Sequence, residues 1–548
     1  MMNTFWRQLG LSRRDIFRAG GLMAAGGMIA SEAATPPQTV VGQLHVGPDI
    51  YHSIGVRPLI NARGTVTVVS GSQTLPEVKA AMDWASRRYV QIDELMEAVG
   101  KRLGELTGAE WGMVTTGAAG AIQVATCACV VGADPDKMEL LSYRVAAPGI
   151  KYDVIIPRSS RNAYDHSIRA VGVRIVEPKD INELEAALSP QTAMIYLLAE
   201  SRDYNAGPMS IENVAAAAHK RGVPVFVDAA AESLITPNVH LKRGADLVAY
   251  SGGKCIRGPQ CAGLLLGRKD LVQAAWVNSA PHHTVCRALK AGKEEIVGML
   301  AAVEMWMKRD HAAEEKTWTS WLDEIAARLK PIDGITTKIQ PAHGIDNRTP
   351  TLGVQWDPNL IDLTEDELEQ ILWDGEPRIA IGGKGSFLPF PPNESHAATI
   401  TPYMLEPGEQ KIVADHLYRA FSTAPKPGSR KKADSPAADL SGEWDVHVAF
   451  VSGNADHSFS IRQTGNDIAG THVGQAAIRE LKGTMDGNKV LIRSSYLLHG
   501  ARLDYTFEGT GDKDQMQGNL SVGEYGFGRW SAKRRKAKFP RGGRAIPG

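Results

Sequence analysis

Apolar and polar positions along the chain fall into three textures. Between about residues 55 and 275, short apolar runs recur as "WGMVTT", "DVIIP", "VRIVE", "AMIYLLA", "VPVFVDAA", "DLVAYS" and "AGLLLG". Segments of helical period such as "LEAALSP" and "IENVAAAAHKRG" stand between several of them. Strands that are apolar almost throughout are covered on both faces, so this alternation predicts an α/β unit with a mostly parallel seven-stranded sheet and helices on either side.

The second texture, residues 291–422, reads as a smaller α+β domain. It has a long helix over Glu294 to Arg309, strand-like "TPTLGVQW" and "PRIAIGG", and a terminal helix from Glu406 to Phe421. Residues 423–439 lack apolar periodicity and read as a linker. From 440 to 536 the period drops to two. Eight short runs, from "WDVHVAFVSG" to "YGFGRWSAK", are separated by turn signals such as Gly-Asn and Asp-Gly. This predicts an all-β barrel or sandwich with Trp444, Phe450, Phe459, Ile461, Ile492, Tyr505, Phe507 and Trp530 in its core. A basic tail occupies 537–548.

Composition narrows the function classes. The 548 residues are 43% hydrophobic, enough for a large core and several domains. With 61 basic and 61 acidic residues there is no overall field to draw in nucleic acid. Five cysteines without a C-x-x-C pair indicate neither a disulfide framework nor a zinc site, and no metal is expected. Near the N-terminus, Arg13 and Arg14 precede Phe17, Arg18 and a short apolar stretch, with Ser31 and Ala33 as small residues for cleavage. Residues 1–33 therefore read as a twin-arginine signal followed by an arm, 34–60. The mature protein is expected in the periplasm or otherwise exported by the twin-arginine route, without an integral membrane segment after signal removal.

The candidate chemistry centres on "VAYSGGKCIRGPQ". Lys254 stands alone at a glycine turn between two apolar runs. A lysine reaching from a strand end to solvent would explain this much. Asp228, however, ends the run "VFVD" 26 residues earlier, which leaves room for one helix and one strand. In a parallel sheet both side chains then reach the carboxyl edge, where such sheets bind ligands. An amine and a carboxylate so placed suit pyridoxal phosphate, the amine for a Schiff base and the carboxylate for the ring nitrogen. Thr116, Gly117 and Ala118 end a strand and open a helix whose first amides favour a phosphate, and Ser251 adds a hydroxyl.

The motifs "LINARGTVTVVSG", "ELTGAEWGMVTTGAAGA", "RNAYDHSIRAVG", "SGGKCIRGPQCAGLLLGRKDL" and "RALKAGKEEIVGMLAAVE" carry a resemblance. Over about residues 50–422 the chain resembles the fold-type-I pyridoxal phosphate enzymes that include selenocysteine synthase and D-glucosaminate-6-phosphate ammonia-lyase. The resemblance implies a PLP-binding large domain at 61–290, Lys254 as Schiff-base lysine, Asp228 as pyridinium partner and Arg287 at an active-site anion. It also implies a homodimer, with Arg63, just after the arm, contributing to a neighbouring site. The chain departs from the pattern at Ser160, where a histidine is expected, and at Cys255, where a glycine is expected. His166 reads equally as a cofactor contact and as an ordinary helix histidine. The expected reaction is elimination at Cα/Cβ of a small amino acid or amino sugar, giving a keto product and ammonia. Racemisation, transamination, a selenium-transferase-like transfer and a non-catalytic binding scaffold are the alternatives. Export and the balanced charge argue against a tRNA substrate.

Overall fold

The computed structural model describes residues 42–535 except 142, 144, 200–206, 383–395, 429–432 and 499–500. The signal with Arg13, Arg14, Ser31 and Ala33 and the basic tail lie outside the described residues. The chain divides between Pro427 and Gly428 into two compact units.

In the first unit β1 is Leu59–Ala62. The strands β2 (Trp111–Thr115), β3 (Asp153–Ile155), β4 (Arg174–Val176), β5 (Thr192–Leu198), β6 (Val225–Asp228), β7 (Leu247–Ser251) and β8 (Gly263–Gly267) form one sheet, ordered β2-β8-β7-β6-β5-β3-β4. Each expected apolar run is one of its strands. All pairings are parallel except those of β8, which runs against both β2 and β7. Strands such as β2 and β6 are buried at every position, as their unbroken apolar runs require. The helix Gly117–Val131, built from small residues, is buried over most of its surface.

A second core lies around β9 (Ile335–Gln340), β10 (Thr351–Trp356), β11 (Arg378–Ile381) and β12 (Ala397–Ile400). Three of these form an antiparallel sheet ordered β12-β10-β9, while β11 pairs in parallel with β1. The helices His311–Leu329 and Glu409–Ser422 pack on this core through Leu322, Ile325, Val413 and Leu417. The long helix expected over Glu294 to Arg309 is Lys293–Trp306. It contributes Ile296, Met299, Ala302 and Val303 to the core of the seven-stranded sheet rather than to the smaller one.

The second unit is a closed antiparallel barrel of eight consecutive strands: β13 (Gly442–Phe450), β14 (Asn454–Thr464), β15 (Asp467–Val473), β16 (Ile478–Asp486), β17 (Lys489–Leu498), β18 (Ala501–Gly511), β19 (Gln515–Ser521) and β20 (Phe527–Arg534). Trp444, Phe459, Ile461, Ile492, Phe507 and Trp530 are buried inside it, and Phe450 and Tyr505 pack half-buried against them. Among the described residues no single helix is long and apolar enough to cross a membrane.

Candidate active site

The register of the large sheet gathers the predicted residues at one edge. Thr115 pairs with Gly263, Gly263 with Ser251, and Asp228 with both Ala249 and Leu198. Because β8 is reversed, its first residue lies beside the last residues of β2 and β7. The turn carrying Lys254 is closed by the Gly252 amide donating to the Ala262 carbonyl at 2.8 Å and the Arg257 amide donating to the Lys254 carbonyl at 2.9 Å. Two glycines are required here by close approach. A Cβ on Gly252 would lie 2.7 Å from both the Ala262 carbonyl oxygen and Met299 Sδ. One on Gly263 would lie 2.4 Å from the Gly117 carbonyl carbon, inside contact distance of the helix start.

Asp228 is buried, with 3% of its surface exposed. The Tyr196 hydroxyl donates to its Oδ2 at 2.7 Å and the Ala230 amide to its Oδ1 at 3.1 Å. Asn162 in turn donates to the Tyr196 oxygen at 3.0 Å. Burial pushes the Asp228 carboxyl above its usual range, while the Tyr196 bond, the Ala230 amide and the charge of Lys254 pull it back. A buried carboxylate held in this way requires a cationic partner facing it. Lys254 is half-buried, and among the described residues no hydrogen bond or ion pair engages its amine.

Thr116 is the N-cap of the helix Gly117–Val131, yet its side chain makes no capping bond. Its Oγ1 is buried and unpartnered among the described residues. A hydroxyl in that position, beside the free amides of a helix start, fits a phosphate oxygen. The described residues therefore fit pyridoxal phosphate: Thr116 Oγ1 with the Gly117 and Ala118 amides for the phosphate, Asp228 for the ring nitrogen and Lys254 for the aldehyde carbon. Ser251 stands between them at the end of β7.

The other candidates are placed differently. Arg287 follows Cys286, whose Sγ lies 3.4 Å from that of Cys127 on the helix Gly117–Val131. Its guanidinium is half-buried and unpartnered among the described residues. His166 is exposed, and its Nδ1 is engaged locally by the Ala163 carbonyl and Arg169. Ser160 is buried and accepts a bond from the Leu198 amide at 2.9 Å, tying the preceding loop to the end of β5. The Cys255 thiol donates to the Glu232 carbonyl at 3.3 Å, and burial pushes it up to about 12, which disfavours the thiolate. Arg63 is exposed. No group of metal-ligating side chains occurs among the described residues. Sequence reasoning missed Tyr196 and Asn162, the two residues that fix the Asp228 carboxylate.

Residues 96–280 match the Cys/Met metabolism PLP-dependent enzyme family. D-glucosaminate-6-phosphate ammonia lyase of Salmonella typhimurium is 31% identical over 302 residues, 54% of this chain and 78% of that protein. The chain belongs to the pyridoxal phosphate-dependent family of this lyase. A solved structure of D-glucosaminate-6-phosphate ammonia-lyase matches this family member with a TM-score of 0.60 at 27% identity, over 69% of this chain and 99% of the other. A Streptomyces 5'-C-glycyluridine monooxygenase-decarboxylase is 31% identical over 303 residues, 53% of this chain and 73% of that protein. L-seryl-tRNA(Sec) selenium transferase of Moorella thermoacetica is 28% identical over 294 residues, 48% of this chain and 59% of that protein. The protein is thus a lyase-like enzyme of the pyridoxal phosphate-dependent family, and pyridoxal phosphate is its cofactor.

Proposed function

We propose that this enzyme is an exported lyase that eliminates an oxygen substituent from Cβ of a small amino acid or amino sugar acid, giving a keto product and ammonia. The observation that carries the reading is the meeting of Lys254, Asp228 and the open helix start at one sheet edge. The substrates named for the relatives support it, since glucosaminate, glycyluridine and seryl groups all carry an amine at Cα and oxygen on the neighbouring carbon.

Bound pyridoxal phosphate supplies an aldehyde that takes up amines and a cationic ring that draws electron density from the substrate Cα. Asp228 holds the proton at the ring nitrogen, with Tyr196 fixing the carboxylate's orientation. Thr116 Oγ1 and the Gly117 and Ala118 amides bind the phosphate. Lys254 Nζ accepts the Cα proton. The ammonium that results would donate a proton to the departing Cβ oxygen. Arg287, a cation without a partner among the described residues, binds the substrate's carboxylate. A substrate without a Cβ leaving group would instead receive its proton back from Lys254 on the face it left, which regenerates the substrate; racemisation would require a proton from the opposite face.

The test is incubation of holoenzyme with D-glucosaminate, its 6-phosphate, serine and threonine, with ammonia and keto acid assayed together. Equal amounts of both from one of them support the reading; inversion of configuration without ammonia overturns it. Export rests on the N-terminal motif. It is tested by replacing Arg13 and Arg14 with lysine, which should hold the protein in the cytoplasm.

A further inference from the structure

The interior of the barrel holds a layer of polar groups. His457 on β14, His472 on β15, Arg479 on β16, and Ser494 on β17 are buried there. They occupy the half of the barrel next to the β13–β14 and β15–β16 turns. Below them, Phe459, Phe507 and Trp530 close the other half with ring centres 5.0 to 5.4 Å apart along the Phe459–Phe507–Trp530 chain.

Arg479 is the exceptional member. Only 5% of its surface is exposed, and its guanidinium lies 4.2 Å from the ring centre of Tyr496 and 4.5 Å from that of Tyr505. Nε and Nη1 are buried and unpartnered among the described residues, as is the Tyr496 hydroxyl. Two tyrosine faces partly compensate a buried cation but leave its N–H groups unsatisfied. Two guanidinium nitrogens kept from water without an anion beside them are unfavourable, so the layer favours a negative group that comes from elsewhere.

The remaining groups narrow that anion. His472 places Nδ1 2.6 Å from Ser494 Oγ and Nε2 2.9 Å from His457 Nδ1. Burial, Arg479 and His457 push His472 down to about 3, so it is neutral. Arg479 is then the one positive charge of the layer, which matches a monoanion rather than a phosphate dianion. The Tyr505 ring also lines a cavity of about 300 Å³ at the barrel mouth, with Phe450, Leu503, Val522, Tyr525 and Phe527. That volume is at the small end of small-molecule sites, and its walls are mostly apolar, with Ser452 and the carboxylate of Asp504, which is also engaged by Arg502, as the polar members.

We propose that the barrel binds a small organic carboxylate with an apolar body, its carboxylate on Arg479 and the Tyr496 hydroxyl and its body in the mouth cavity.

The experiment is calorimetric titration of the full-length holoenzyme with sodium octanoate, 1-octanol and inorganic phosphate. Octanoate is expected to bind at least about tenfold more tightly than either of the others. Arg479→Met, which removes a buried unpaired charge and should leave the thermal midpoint unchanged or raised, is expected to lose at least about tenfold in octanoate affinity. Leu503→Trp, which narrows the cavity and leaves the guanidinium in place, should weaken octanoate while sparing acetate. The proposal is overturned if octanoate does not bind at millimolar concentration, if Arg479→Met binds it equally, or if octanol or phosphate matches it.

Discussion

The Tyr196 hydroxyl donates to Asp228 Oδ2 at 2.7 Å, with the Asn162 amide behind it. This relay joins the middle of β5 to the end of β6 and to the loop after β3. One carboxylate oxygen is therefore fixed by Tyr196 and the other by the Ala230 amide, and rotation of the group would break both bonds.

Removing the relay should affect ionisation before it affects shape. In Tyr196→Phe the bond that lowers the Asp228 carboxyl is lost while the burial that raises it remains. The acid limb of the pH profile for kcat/KM should move to higher pH, and neutral-pH turnover should fall by about tenfold. Near-UV circular dichroism of the variant should remain native.

The same carboxylate sets a stability trend in the cofactor-free protein. A carboxyl whose folded pKa is raised contributes nothing when protonated in both states and opposes folding as pH climbs past its unfolded value near ~4. Asp228→Asn in the cofactor-free chain should therefore unfold at an equal or higher temperature than the parent at neutral pH. The margin should vanish below the ordinary carboxylate range. The variant should also retain cofactor poorly, as equilibrium dialysis would read.

Borohydride reduction of the holoenzyme followed by peptide mapping should place the pyridoxyl label on Lys254. Lys254→Ala should lose about 10²–10⁴-fold in turnover while its fold persists. A label on any other lysine contradicts the assignment.

Thr116→Val keeps the shape of the side chain and removes the unpartnered hydroxyl. Cofactor affinity should fall by about tenfold, a cost of about 1–2 kcal/mol. Thermal stability of the cofactor-free protein should be unchanged or slightly raised, since the buried oxygen has no partner to lose.

Sedimentation should show a homodimer. The first unit exposes Val68, Trp84 and Tyr89 at 80%, 67% and 101%, unusual for large apolar side chains. A chain ending at Pro427 should sediment the same way and keep its cofactor absorbance and most of its turnover. A fully active monomer at micromolar concentration would remove the dimer.

The strands of the large sheet were legible because burial on both faces leaves an unbroken apolar run. The same property hid Tyr196. In "AMIYLLA" every position is apolar, so no alternation reveals which side chain faces the neighbouring strand end, and the tyrosine reads as filler. The pairing of Leu59–Ala62 with Arg378–Ile381 was hidden for another reason: two four-residue strands remote in sequence carry no local signal of each other. The helix His311–Leu329 was overlooked because few of its positions are buried. Arg479 could have been found. Tracing the alternation of Leu481 and Met485 back along β16 puts an arginine at an inward position.

In the barrel each of the eight strands has a hydrogen-bonded neighbour on both sides. An extended peptide can join a sheet only where a strand offers unpaired main-chain groups. Among the described residues the closed ring leaves a strand without a neighbour only at strand ends, such as residues 454–457 of β14 beside β15, so the barrel presents no full-length edge for strand addition or for edge-to-edge aggregation.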